Sequence, residues 1–314
     1  MTAVAGIDFH PVDPSGESGW AGRPGVGPNP YASCVPALQP PHRIAVLGDV
    51  GGHVWMLRRC LQELGADSTS GTVPDDLVVV QVGDLVHKGP DSAGVVELVD
   101  RMMTGSPGQW IQLIGNHEAQ EGLGGPRFWQ EALPQSSRAD LRRWVDSDQA
   151  RLAVALDTVE YGPTLITHAG LTREKWEVIG RPDAPDEAAI TLNKELASDP
   201  DRAFAAGEWL GVKSRVPVGV AWASPRELLG SWDMEQLPFS QIHGHASPRQ
   251  WTSDTWAAGL PRRTTARATV DRQKRHSDFL WPGGEHVVCV DPDFGADAAS
   301  VPLIPLIVNG EVLS

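Results

Sequence analysis

The sequence predicts an α/β fold in which short, mainly parallel strands carry polar groups at their carboxyl ends. Three observations predict it. Apolar, often β-branched runs recur from residue 43 onward, segments of helical period separate the first three, and the runs stop at polar residues flanked by glycine. IAVL (44–47) reads as a buried strand running into Gly48-Asp49. Residues 54–64 set Val54, Leu57, Cys60, Leu61 and Leu64 on one helical face. LVVVQV (77–82) is the second buried strand and ends at Gly83-Asp84. Ser92 is expected to cap a helix bearing Val95, Val96, Leu98, Val99 and Met102. WIQLI (110–114) then leads into Gly115-Asn116-His117-Glu118. This β-α-β-α-β order implies parallel strands with helices outside and ligand sites at the strands' carboxyl ends. Further on, TLIT (164–167) leads into His168-Ala169-Gly170, FSQIH (239–243) into Gly244-His245, and HVVCV (286–290) is a last strand candidate.

Bulk properties limit the function classes. The 314 residues, 41% hydrophobic and 21% charged, suffice for a sizeable core. Residues 1–42 are rich in Pro, Gly and Ser without apolar period and read as a flexible tail, leaving 43–314 as the domain. No run of about 18 apolar residues occurs, so no membrane partner is expected. The first residues lack a basic stretch followed by an apolar block, which argues against a secretory signal. Cys34, Cys60 and Cys289 are odd in number and scattered, which suggests a reducing, cytoplasmic location and excludes a close-spaced cysteine zinc knuckle. The net charge of −14 opposes bulk nucleic-acid binding, although bound metal ions can still attract a phosphate locally.

The polar groups at the strand ends form a chemically coherent set. Asp49, Asp84, Asn116, His168 and His245 are oxygen and imidazole donors, a mixture suited to Mn, Fe or Zn, and a shared carboxylate can bridge two ions. A lone Gly-Asp after a strand is more often a turn. A whole ordered series at successive strand ends is hard to obtain from turns alone.

The blocks GDVGGH (48–53), GDLVHKGPDS (83–92), GNHE (115–118), HAG (168–170) and HGHA (243–246) resemble the signature blocks of the calcineurin-like metallophosphoesterases. The similarity is greatest to the branch holding phosphoprotein phosphatases and bacterial relatives, including dinucleoside tetraphosphate hydrolases, and it spans about residues 43–295. GVAWASPRELLGSW (219–232) also resembles a stretch of bacterial members. The resemblance implies a four-layer α/β/β/α sandwich of two mixed sheets, here with a cap-like insertion over about 171–238, and a two-metal site at its rim. It implies that Asp84 bridges the metals, that Asp49 binds the first, and that Asn116, His168 and His245 bind the second. His117 takes the place of the general acid, and Lys88 that of a phosphate-holding arginine. The implied reaction is hydrolysis of phosphomonoesters by metal-activated water, the substrate being a phosphorylated small molecule or a phosphoprotein. Physically, two ions can make water nucleophilic at neutral pH and clamp phosphoryl oxygens, and histidine is well placed to protonate the leaving oxygen. A dinucleoside-polyphosphate hydrolase, a protein Ser/Thr phosphatase and a degenerate protein that binds a phosphorylated ligand without turnover are the alternatives.

Three positions depart from the family pattern. Gly51 stands where the first block carries a histidine. His53, two residues on, either swings back as a substitute or merely starts the following helix. The second reading is preferred, and it leaves the first ion weakly held or completed by water. His87 replaces an aspartate that orients the acid histidine in protein phosphatases, and Lys88 exchanges a bidentate fork for a point charge. The basic tract PRRTTARATVDRQKRH (261–276) reads as a solvated loop or hairpin before a polyanion site. Trp176, Trp209, Trp222 and Trp232 read as packing before a base-stacking pocket.

Overall fold

The structure is a computed structural model that describes residues 42–211, 216–294 and 301–314. The tail expected over residues 1–42 therefore lies outside the described residues, apart from His42, which already belongs to the first strand.

The first half alternates as predicted: β1 (His42–Leu47), α1 (Val54–Leu64), β2 (Leu77–Gln81), α2 (Ser92–Gly105) and β3 (Trp110–Leu113), with β1, β2 and β3 pairing in parallel. The short α3 (Asn116–Ala119), α4 (Gln135–Asp146) and β4 (Ala150–Arg151) follow. β5 (Ala153–Thr158) and β6 (Gly162–Thr167) form an antiparallel hairpin. α5 (Arg173–Val178), α6 (Pro185–Ser198), α7 (Pro200–Ala203), a 3-10 turn (Glu208–Leu210) and α8 (Pro225–Trp232) occupy the 171–238 interval. Then come β7 (Ser240–His243), β8 (Arg249–Gln250), β9 (Thr255–Trp256), α9 (Arg262–Thr265), β10 (Ala268–Asp271), β11 (His276–Leu280), β12 (His286–Cys289) and β13 (Leu306–Val312).

The mixed α/β class is as expected. Eleven of the strands hydrogen-bond into one sheet in the order β10-β11-β12-β7-β6-β5-β13-β1-β2-β3-β4, with β8 and β9 apart. β13 is the joint, antiparallel to β1 on one side and to β5 on the other. Strand residues of alternate parity divide the core. Ile44, Val46, Val78 and Val80 cluster with Val154, Ile166, Ile242 and Val308, all from strands. Ala45, Leu47 and Val79 instead join Leu57 and Leu61 of α1 and Val95 and Val99 of α2. This is the period-2 rule of a strand covered on both faces.

Details differ from the sequence reading. Asp91, not Ser92, caps α2, its Oδ1 accepting from the Gly94 N–H at 2.8 Å. Ser92 is the first helical residue, and its hydroxyl accepts from the His87 N–H at 2.8 Å. The basic tract forms α9 and the β10–β11 hairpin, in line with the preferred reading. Within it Arg275 donates to the Pro292 carbonyl at 3.0 Å. No described helix is long and apolar enough to cross a membrane. Cys60 and Cys289 are buried free thiols.

Candidate metal centre and its surroundings

The strand ends are gathered by side chains and backbone that the apolar pattern does not reveal. Gln81, fully buried at the end of β2, donates to the carbonyls of Gly48 (3.1 Å) and Gly83 (2.8 Å), tying the first two turns together. The Asp84 carbonyl accepts from the N–H groups of Val50 (3.0 Å) and Gly51 (2.8 Å), so the 49–53 turn lies on the 84–91 turn. Gly52 has φ +74°, and a Cβ there would stand 2.9 Å from the His87 carbonyl oxygen. That close approach is why glycine follows Asp49. Glu118 accepts from the N–H groups of Asp84 (2.8 Å), Leu85 (2.8 Å) and Gly115 (2.9 Å). Asp84, His87, Lys88 and His245 all hold positive φ, between 54° and 67°. Such backbone is costly for these residue types and collects at sites where side chains must be aimed.

Asp84, His168 and His245 offer ligand atoms within 4.8 Å of one another. His168 Nδ1 bonds the Val82 carbonyl at 2.9 Å, which fixes the ring and turns Nε2 inward. Nε2 then lies 3.2 Å from both Asp84 Oδ1 and Asn116 Oδ1. His245 Nδ1 lies 3.0 Å from the same Asn116 oxygen. Burial alone would push His168 down, but the Asp84 charge overrides it and holds the imidazole up at about 9. Burial pushes the neighbouring His245 well down, so its ring is neutral and offers a free lone pair. Asp84, Asn116, His168 and His245 therefore fit one divalent ion.

The Asp49 side differs. Asp49 Oδ1 accepts the His245 N–H at 2.9 Å. Its Oδ2 is buried and makes no hydrogen bond; Lys88 Nζ faces it at 3.8 Å and faces Asp84 Oδ2 at 3.6 Å. Burial, then Asp291 and Asp84, hold the Asp49 carboxyl well above the usual carboxylate range. Burial acts the same way on Asp84, but there the charges of His117 and His168 prevail and hold it well below. His53 stays at the start of α1, its Nδ1 on the Val50 carbonyl (3.1 Å) and its ring 5.2 Å from Phe294. It takes no part in the donor cluster. The remaining oxygens on this side, Asp49 Oδ2 and Asp84 Oδ2, thus both face the Lys88 ammonium.

His117 flanks the third side, with Nε2 3.7 Å from Asp84 Oδ2. Its Nδ1 is 2.8 Å from His87 Nδ1, so the two rings share one proton there. His87 Nε2 in turn lies 3.4 Å from Glu121 Oε1 without making a hydrogen bond. Burial pushes His117 down to about 4 against the pull of Asp84, and pushes His87 down as well. Both rings are thus neutral near pH 7. Phe128 stands edge-on to His117 at 4.8 Å, and Trp129 stacks on His87 at 5.9 Å. Trp176 and Trp232 pack against each other and Trp222 is buried, whereas Trp209 is 53% exposed with its ring 5.9 Å from His245. All seven predicted site residues thus meet at one rim. The sequence reading gave no role to Glu118, Glu121, Gln81 or Asp291, whose parts depend on contacts between segments that only the fold brings together.

Residues 42–248, more than half of the chain, match the family described as calcineurin-like phosphoesterase. The protein belongs to that family. Among solved structures it is similar to a cold-active protein-tyrosine phosphatase of Shewanella sp., at 14% identity over 83% of this chain and 72% of that one, with a TM-score of 0.43. It is also similar to a protein serine/threonine phosphatase from Saccharomyces cerevisiae, at 15% identity over 88% and 82%, TM-score 0.41. A putative diadenosine tetraphosphatase matches at 17% identity over 79% and 92%, TM-score 0.33.

Proposed function

We propose that the protein is a metal-dependent phosphoesterase that hydrolyses phosphomonoesters, with a divalent ion held by Asp84, Asn116, His168 and His245. The convergence of these donors on one inward-facing group is the observation that carries the reading. Mn, Fe or Zn held by these residues would make water nucleophilic at neutral pH and offset phosphoryl charge. The residues supply the rest. Lys88 presents a fixed positive charge to a phosphoryl oxygen. His117 sits beside Asp84 and protonates the leaving oxygen; an entering phosphate dianion favours the imidazolium form. His87 holds the far nitrogen of that ring and so orients it, without the charge that a carboxylate would bring. Neither described thiol suits a covalent route: burial pushes Cys60 up to about 12, and Cys289 is buried against the Ala246 carbonyl.

Dialysis against chelator is expected to abolish hydrolysis of aryl phosphates, and Mn(II) to restore it. Full turnover by protein shown to be metal-free ends this reading. The exposed ring of Trp209 favours a second substrate class, dinucleoside polyphosphates, whose bases stack on aromatic faces. Trp209→Ala should then raise KM for a dinucleoside tetraphosphate while leaving that for a small alkyl phosphate unchanged.

A further inference from the structure

We infer that the centre is mononuclear, with the Lys88 ammonium standing in for a second divalent ion between Asp49 and Asp84. The inference rests on the metal-dependent reading above and specifies how the site's charge is arranged.

Lys88 Nζ faces Asp49 Oδ2 at 3.8 Å and Asp84 Oδ2 at 3.6 Å, with the side chain still 30% exposed. An ion bound to both oxygens would lie at about 2.0–2.2 Å from each, directly against a like charge. The lysine's stem also lies against the turn position from which another ligand would arrive. A Cβ on Gly51 would stand 3.5 Å from Lys88 Cδ and 3.6 Å from its Cβ, so any side chain there meets the lysine. The other imidazole of that turn, His53, is tied to the Val50 carbonyl and seated against Phe294. Asp49 has one oxygen left, because Oδ1 accepts the His245 N–H.

Asp49, Asp84 and Asp291 are buried carboxylates whose charges act on Lys88. Buried charge is tolerated when it is paired, and here the chain supplies the pair itself. The left-handed backbone of Lys88 (φ 63°) is the strain borne to aim the side chain inward.

The test counts ions. The full chain is saturated with Mn(II), freed of excess, and examined by native mass spectrometry and electron paramagnetic resonance. One ion per chain with the six-line spectrum of isolated Mn(II) is expected. Two ions with an exchange-coupled spectrum overturn the inference and leave the phosphoesterase reading standing; none overturns both. Two variants sharpen the result. Asp49→Asn keeps an oxygen for the His245 N–H and should still hold one ion; a variant without an ion overturns the inference. Gly51→His with Lys88→Met removes the ammonium and supplies an imidazole, so a second ion should now bind. A folded double variant that still holds one ion shows that Lys88 does not exclude the second, and overturns the inference.

Discussion

His117 is the residue whose surroundings depart furthest from what its block suggested. A carboxylate partner would stabilise its imidazolium. The imidazole at position 87 does not, and burial carries both rings toward the neutral form. Proton delivery then depends on substrate charge arriving next to the ring. His117→Asn should leave metal content unchanged and lower kcat by roughly 10²–10⁴ for alkyl phosphates. Activated aryl phosphates, which need less protonation, should suffer less. An equal loss for both leaving groups, in steady-state kinetics, would assign His117 another role. At this scale the sequence displayed the chemistry better than its support. Asp49, Asp84, Asn116, His168 and His245 stand out because each follows an apolar run directly. Glu118 lies inside a recognised block, yet its three backbone partners come from two turns that only the fold brings together.

Among elements, β1 to β3 were legible because strands covered on both faces read as unbroken apolar runs. β13 was not. Its sequence LIVNGEV carries an Asn-Gly pair that signals a turn, but Gly310 is there for another reason. A Cβ on it would stand 2.2 Å from the Asp157 carbonyl oxygen of β5. The glycine lets β13 approach closely enough to join the two parts of the sheet. Gly310→Val should therefore cost about 3 kcal/mol or more in urea unfolding, since backbone and not a pliable side chain must yield. Gly230→Ala in α8 is the contrasting case: nothing lies within 4 Å of the added carbon, and stability should rise by about 0.5–1 kcal/mol. Similar effects of the two changes would refute this account of the joint.

For the whole molecule, the net charge of −14 sets the solution behaviour, and buried histidines set the acid limit. His276 of β11 lies far in sequence from the signature blocks and bonds the Ile304 carbonyl through Nε2 at 3.1 Å. Burial pushes it from 6.5 down to about 4. Between those values the unfolded chain takes up a proton that the folded chain refuses. Stability present above pH 6.5 is therefore lost as pH falls toward 4, at a slope of about 1.4 kcal/mol per pH unit for this one group. Urea midpoints across that range should flatten in His276→Gln by that amount; an unchanged slope would mean His276 accepts its proton in place. The α/β class was open to view in the sequence because local period reveals it. The joining of the sheet was hidden because it depends on pairing between remote segments.

That pairing has a consequence for synthesis. In the register of β1 with β13, His42 faces Gly310, nearly the length of the chain away. A ribosome delivers β1, β2 and β3 early, and their parallel ladder can form with α1 and α2 beside it. The edge of β1, with its backbone N–H and C=O groups free, then waits unpaired until residues 306–312 emerge. A strand edge held open for most of translation is a site for pairing with other nascent chains. The last strand thus closes the window in which the growing chain is most in need of a chaperone.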